Sequence, residues 1–161
     1  PFIDQYVDQV LVGAYDYAMP WVATTTGPNC PILDTTRFDI VDTIDKISKF
    51  YMLSKCVMCL PFYGYHYTGA ASGDPGATFS SYTSMTSITA TISAGTHGRL
   101  WDSASNSPYV AYQDTGVWHQ IWYDDKESLK IKRNYILSRG FAGIGYWYLG
   151  AEDSSLWDAF I

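Results

Sequence analysis

Three short apolar runs, each with tyrosine or tryptophan clustered near its end, constrain this chain more than any other feature. They are VDQVLVGAYDY (7–17), CVMCLPFYGY (56–65) and FAGIGYWYL (141–149). Each has the near-continuous apolar character of a strand covered on both faces. Helical patterns separate them. In RFDIVDTIDKISKFYMLS (37–54), Phe38, Val41, Ile44, Ile47 and Tyr51 recur at helical spacing, and Asp39, Asp42 and Asp45 form an opposite, solvated stripe. Thr35 or Thr36 is placed to cap that helix. DDKESLKIKRNYILSRG (124–140) reads as a second helix, capped by Asp124 or Asp125, with Glu127 in its first turn and Gly140 past its end. SSLWDAF (154–160) starts a last one. Strands alternating with helices imply parallel pairing through helical crossovers, an α/β fold.

Two stretches fall outside this alternation. PWVATTTGPNCPILDTT (20–36) is a loop rich in Pro, Gly and Thr. Residues 68–117 are rich in Ser, Thr and Gly yet carry Phe79, Tyr82, Ile88, Ile92, Leu100 and Trp101, and read as an insertion before the last strand. A short helix is expected over 82–93, then irregular or hairpin structure through RLWDSASNSPYVAYQDTGVWHQIWY (99–123).

The placement of the aromatics points to function. In barrels and open α/β sheets the C-terminal ends of parallel strands face the ligand site. The bursts AYDY, PFYGY and YWYL all lie at such ends. These rings either plug the top of the core or line a site, and their recurrence in three successive strands favours a site. Aromatic residues are 17% of the chain, with 14 Tyr and 6 Trp. A flat apolar body with a polar tip suits a wet groove for flat ligands such as sugars.

Other function classes find little support. The net charge is -6, from 10 Lys+Arg and 16 Asp+Glu. No basic stripe exists to neutralise nucleic-acid phosphates. The longest basic cluster, KIKR (130–133), reads as a solvated helix face. No segment is long and apolar enough to span a bilayer. Cys56 and Cys59 have CxxC spacing, but on a strand residues three apart face opposite sides. With Cys30 they are read as buried unpaired thiols; the odd count leaves room for a disulfide to a segment outside the chain. His66, His97 and His119 lack paired spacing, so no metal site is expected. His66 is open to a sugar contact or a structural role, and His119 is expected to pack. The chain starts at Pro1 on a strand pattern, which reads as a piece of a larger fold or a processed product.

VDQVLVGAYDY, LPFYGYHY and HQIWYDDKESLKIKRNYILSRGFAGIGYWYL together resemble the last three strands of a glycoside hydrolase family 18 barrel, the family of chitinases and chitobiases. RLWDSASNSPYVAYQD before WHQIWYDD resembles the chitobiase branch. The resemblance implies about the last three strand-helix units of a (β/α)8 TIM barrel, with the 68–117 insertion between its last two strands. It implies that Tyr15 and Asp16 are the family's Tyr-Asp pair. The Tyr15 hydroxyl would bond the N-acetyl group of the sugar and Asp16 a nearby polar group. It makes Trp147 the floor of the cleft beneath the sugar beside the cleaved bond. Tyr63, Tyr65 and Trp21 are further candidates for lining the cleft. Ala14 departs from the Met usual before this pair. The implied ligand is chitin or an N-acetylglucosamine oligosaccharide, with no cofactor, in a secreted or lysosome-like compartment.

The family's catalytic glutamic acid ends a DxxDxDxE motif, and no DxDxE occurs here. Glu127 belongs to a helix start, and Glu152 with Asp153 to a loop or helix start. The expected function is therefore part of a glycosidase acting on β-1,4-linked N-acetylglucosamine by substrate-assisted retention, supplying binding residues but not the acid. The alternative is a non-catalytic, lectin-like barrel or a structural component of an assembly. Either way, the missing half of the barrel or an assembly partner is expected to cover the sheet edges.

Overall fold

A computed structural model describes residues 5–19, 24–69 and 76–160. Trp21 lies outside them. In chain order the elements are β1 (Val10–Gly13), α1 (Ile40–Ser48), β2 (Cys56–Pro61), β3 (Tyr63–Thr68), β4 (Ser81–Thr86), α2 (Ser87–His97), β5 (Leu100–Asp102), β6 (Ser107–Asp114), β7 (Val117–Trp122), α3 (Lys126–Ser138) and β8 (Gly143–Trp147). Short 3₁₀ segments occupy Leu53–Lys55 and Ser154–Phe160. The second of these replaces the expected terminal helix.

The three apolar runs pair in parallel, in the order β1-β2-β8. Val12 is opposite Met58, and Met58 is opposite Ile144. One face of this sheet buries Val12, Met58 and Leu60 against Ile40 and Ile44 of α1 and Leu129 and Ile136 of α3. The helices reach this face because their apolar stripes recur at helical spacing.

The first helix is shorter than its pattern. Its cap is Asp39, not Thr35 or Thr36, and the carboxylate accepts from the Asp42 and Asp34 backbone N–H groups at 2.8 Å each. Asp39 is thus 2% exposed and leaves the solvated stripe that its spacing predicted. Phe38 precedes the cap, so it falls off the apolar stripe; it is exposed, with Lys46 Nζ 3.5 Å above its ring. Helix α3 starts as its sequence dictates. Asp125 and Ser128 form a reciprocal capping box, and Gly140 has φ 92° beyond the last turn.

KIKR is not a uniformly solvated face. Lys132 is fully buried, on the same stripe as Leu129 and Ile136. It pairs with the buried Asp124 carboxylate and donates to Ser107 Oγ at 3.0 Å. A buried partner from the end of β7 holds a charge that spacing alone assigned to water.

The second apolar run is two strands, not one. Pro61 ends β2, and the Phe62 N–H still reaches Trp147 O at 2.6 Å. The Phe62 ring stacks on Tyr146, 4.7 Å between centroids, and anchors the corner. From Tyr63 the chain enters a separate antiparallel sheet, ordered β4-β3-β7-β6-β5. This sheet extends on both sides of the 68–117 stretch. Gly64 is required at the corner, since a Cβ there would lie 1.9 Å from the Trp122 carbonyl oxygen. Tyr82 is in strand β4 rather than the expected helix. The Ser- and Thr-rich run suits an edge strand, and the helix begins only after Thr86, whose hydroxyl accepts from Thr89 N–H.

The second sheet has two different faces. Val110 and Ile121 pack with Ala90 of α2 on one. Tyr63, Tyr65, Tyr67 and Trp122 cluster on the other.

Candidate functional site

Strand register brings the aromatic bursts to one end of the parallel sheet. Gly13 is opposite Cys59, and Cys59 is opposite Gly145. The last rung beyond β1 is Ala14 N–H to Cys59 O at 2.9 Å. Tyr15, Tyr63 and Trp147 each follow within a few residues of that rung. They therefore leave the strands at the C-terminal end of the parallel sheet, where Trp147 is opposite Pro61 and Tyr63 follows two residues after Pro61.

Past this rung the backbone turns sharply. Asp16 takes a left-handed conformation, φ 69°, which a non-glycine residue adopts only when its surroundings hold it there. Its N–H donates to Asn29 Oδ1 at 2.6 Å. Its carboxylate accepts from two phenols, those of Tyr63 and Tyr65, the latter at 2.9 Å. Tyr15 meets Tyr63 edge to face, 6.1 Å between ring centroids. Four of the expected site residues, Tyr15, Asp16, Tyr63 and Tyr65, thus form one cluster, built from the end of β1 and the start of β3.

Burial and the adjacent Asp16 carboxylate push the Tyr63 and Tyr65 hydroxyls well above the ordinary phenol range. Tyr15 is raised too, by burial first, then by Cys59 and Asp16. All three stay protonated donors at any physiological pH. Two aim at Asp16. The third is available to an acceptor such as an amide carbonyl.

Trp147 stands apart from this hydrogen-bonded cluster. It ends β8, its side chain meets the Tyr148 ring edge to face at 6.1 Å, and it is 56% exposed. The Trp147–Tyr148 peptide bond is cis. An exposed indole at a strand end presents a flat apolar face to solvent.

Two cluster members were not anticipated. Asn29 is 1% exposed and bonds both Asp16 and, through Nδ2, the Tyr63 carbonyl at 3.0 Å. Tyr67 is fully buried and its hydroxyl donates to Ala18 O at 2.9 Å, tying β3 to the segment after β1. Alternation along β3 signalled Tyr67. Nothing in GPNCP signalled Asn29.

Several weighed residues lie elsewhere. Glu152 accepts from Gly150 N–H at 2.5 Å and closes the turn after β8. Glu127 pairs with Arg99 at 2.8 Å beside Asp125. His66 alternates with Tyr65 and Tyr67 and so faces the other side of β3, where it bonds His119 at 2.9 Å between ring nitrogens. Cys30 and Cys56 are buried thiols and Cys59 is a half-buried one. Among the described residues no group of three or more His, Cys, Asp or Glu is arranged to hold a metal, and no helix is long and apolar enough to cross a membrane.

Comparison with known proteins decides what kind of fold carries this cluster. The profile of glycosyl hydrolases family 18 matches residues 1–152. The chain belongs to this family. Human di-N-acetylchitobiase is 31% identical over 92% of the chain, and the mouse protein of that name is 27% identical over 92%. The chain spans 42% and 44% of their respective lengths, so it corresponds to less than half of each relative. Among solved structures, a family 18 chitinase of Cycas revoluta in complex with (GlcNAc)3 superposes with a TM-score of 0.84 at 23% identity, over 98% of this chain and 47% of the other. A chitinase-like agglutinin of Robinia pseudoacacia superposes with a TM-score of 0.80 at 24% identity. These superpositions show a family 18 chitinase fold, of which this chain is a part.

Proposed function

We propose that this chain is the C-terminal part of a chitobiase-like glycosidase, comprising about three strand-helix units of an eight-stranded barrel with residues 68–117 as an insertion. It acts on β-1,4-linked N-acetylglucosamine. The observation that carries this reading is the Tyr15–Asp16–Tyr63–Tyr65 cluster at the strand ends, in a chain of this family. In substrate-assisted cleavage the sugar's own acetamido oxygen attacks the anomeric carbon, so the N-acetyl group must be held against rotation. Tyr15 donates its hydroxyl to that group. Asp16, oriented by two phenols, accepts from a neighbouring polar group of the sugar. Trp147 carries the apolar face of the ring beside the scissile bond. The general acid comes from the rest of the barrel, so this segment alone hydrolyses nothing. A secreted or lysosome-like setting for the whole protein goes with this reading.

The test uses the protein with its whole barrel and chitotriose as substrate. Trp147→Ala should lower both affinity and turnover, with kcat/KM down roughly tenfold to a hundredfold from a lost stacking contact of about 1–3 kcal/mol, by analogy with other aromatic stacking. Wild-type affinity in that variant would remove the platform from the mechanism. A barrel that binds the trisaccharide at wild-type strength but never cleaves it would instead be lectin-like.

A further inference from the structure

Asn29 closes a ring of three hydrogen bonds around the candidate clamp. Asp16 N–H donates to Asn29 Oδ1 at 2.6 Å, Asn29 Nδ2 donates to the Tyr63 carbonyl at 3.0 Å, and the Tyr63 hydroxyl donates back to the Asp16 carboxylate. The Asn29 carbonyl also accepts from Tyr17 N–H at 3.2 Å, so one residue takes the N–H groups of both Asp16 and Tyr17. These residues are far apart in sequence, 13 positions from Asp16 to Asn29 and 34 from Asn29 to Tyr63.

The two side-chain partners have opposite chemistry. A backbone N–H only donates and a carbonyl only accepts, so a single group must do both at this point. The Asn29 carboxamide does so, with Oδ1 accepting and Nδ2 donating; a carboxylate in its place could only accept. Asp16 has left the sheet ladder in a left-handed conformation, so its N–H has no strand partner and depends on this one. Asn29 is buried, which makes an unpaired N–H or carbonyl there costly.

We propose that Asn29 is a positioning residue for the Asp16–Tyr63 clamp. It sets the direction of the Asp16 carboxylate and fixes the start of β3 against the end of β1, without touching the sugar. The proposal rests on the clamp reading given above. Tyr15, next to Asp16 in the chain and in ring contact with Tyr63, is held through both of them. Misplacement of reacting groups by about 1 Å can cost around a hundredfold in rate, and loosening this ring would act on the clamp in that way.

The experiment is a double-mutant cycle in the protein with its whole barrel. Turnover of chitotriose and affinity for the trisaccharide are both measured on folded protein. Asn29→Ala removes both side-chain bonds. Asn29→Asp keeps size and acceptor but loses the donor to Tyr63, and it carries the test should the alanine variant fail to fold. Each should lower kcat/KM roughly tenfold to a hundredfold, with the larger share in kcat. In an Asp16→Asn background the same changes should cost less than about threefold more, because residues acting through one another are non-additive. Full additivity, or wild-type kcat/KM in the folded Asn29→Asp variant, would overturn the proposal. If Asp16→Asn alone leaves turnover and affinity unchanged, the clamp reading itself falls and this inference falls with it. A crippled Asp16→Asn with additive Asn29 effects defeats the inference alone.

Discussion

Lys132 shows how one buried partner changes what a residue does. Its stem lies on the core stripe of α3 and its ammonium meets Asp124, with Ser107 Oγ at 3.0 Å and Ser128 Oγ donating to Asp124 at 2.6 Å. The pair joins α3 to β6 of the second sheet. Removing one charge from such a pair leaves the other buried without compensation, which typically costs about 3–5 kcal/mol, whereas replacing both by apolar groups is often neutral. Lys132→Met should therefore lower the urea midpoint sharply, and Lys132→Met with Asp124→Leu should restore most of the loss. A double variant no more stable than the single would show that the pair contributes more than its mutual compensation. At the same scale, four of the five described residues expected at the site were marked by aromatic character at strand ends: Tyr15, Tyr63, Tyr65 and Trp147. Asp16, and the roles expected of Tyr15 and Trp147, drew on the resemblance. Asn29 was not legible, because its two partners come from segments that only the tertiary fold brings together.

Among elements, legibility followed how local the determining interactions are. The parallel strands and α3 could be read because burial, capping and helical spacing lie within each segment. The division between β2 and β3 could not. PFYGY is continuously apolar, and the chain changes sheet only because Phe62 is pinned to β8 while Gly64 admits the Trp122 carbonyl. That change of sheet also gives β3 two chemically distinct faces. Tyr63, Tyr65 and Tyr67 serve the candidate site, and His66 faces away. There it bonds His119, whose ring stacks on Tyr112, which stacks in turn on His97 of α2. Burial, then the neighbouring His119, holds the His66 imidazole below its ordinary pKa. The folded state thus binds a proton at this position less readily than the unfolded chain, whose histidine titrates near about 6.5. His66 contributes stability above that pH and loses it as pH falls through and below it. Between pH 7 and pH 5 the melting temperature of the wild type should drop more than that of His66→Gln. Circular dichroism melts at the two pH values read this directly, and parallel slopes would mean that His66 takes no part.

At the scale of the whole molecule, the parallel sheet has two unpaired margins among the described residues. Among the described residues β1 and β8 each have a single neighbour, β2, so each leaves one edge open. Leu11 is 71% exposed, on the face of β1 opposite the buried Val12. An eight-stranded barrel leaves neither feature open, since closure pairs every strand and fills the interior with side chains. The chain spans under half the length of these relatives, and on the function proposed above the strands that pair with these edges and cover Leu11 would belong to the rest of the barrel. Residues 1–161 produced by themselves should then associate increasingly with concentration, through open edges and exposed apolar surface. Leu11→Lys should weaken that association by placing a charge on the exposed face. The same residues within a protein that carries the other strands should not associate in this way. Light scattering across a concentration series distinguishes the cases. A segment that stays monomeric at high concentration, with Leu11→Lys changing nothing, would mean that its margins are already covered and that it is not an open part of a barrel.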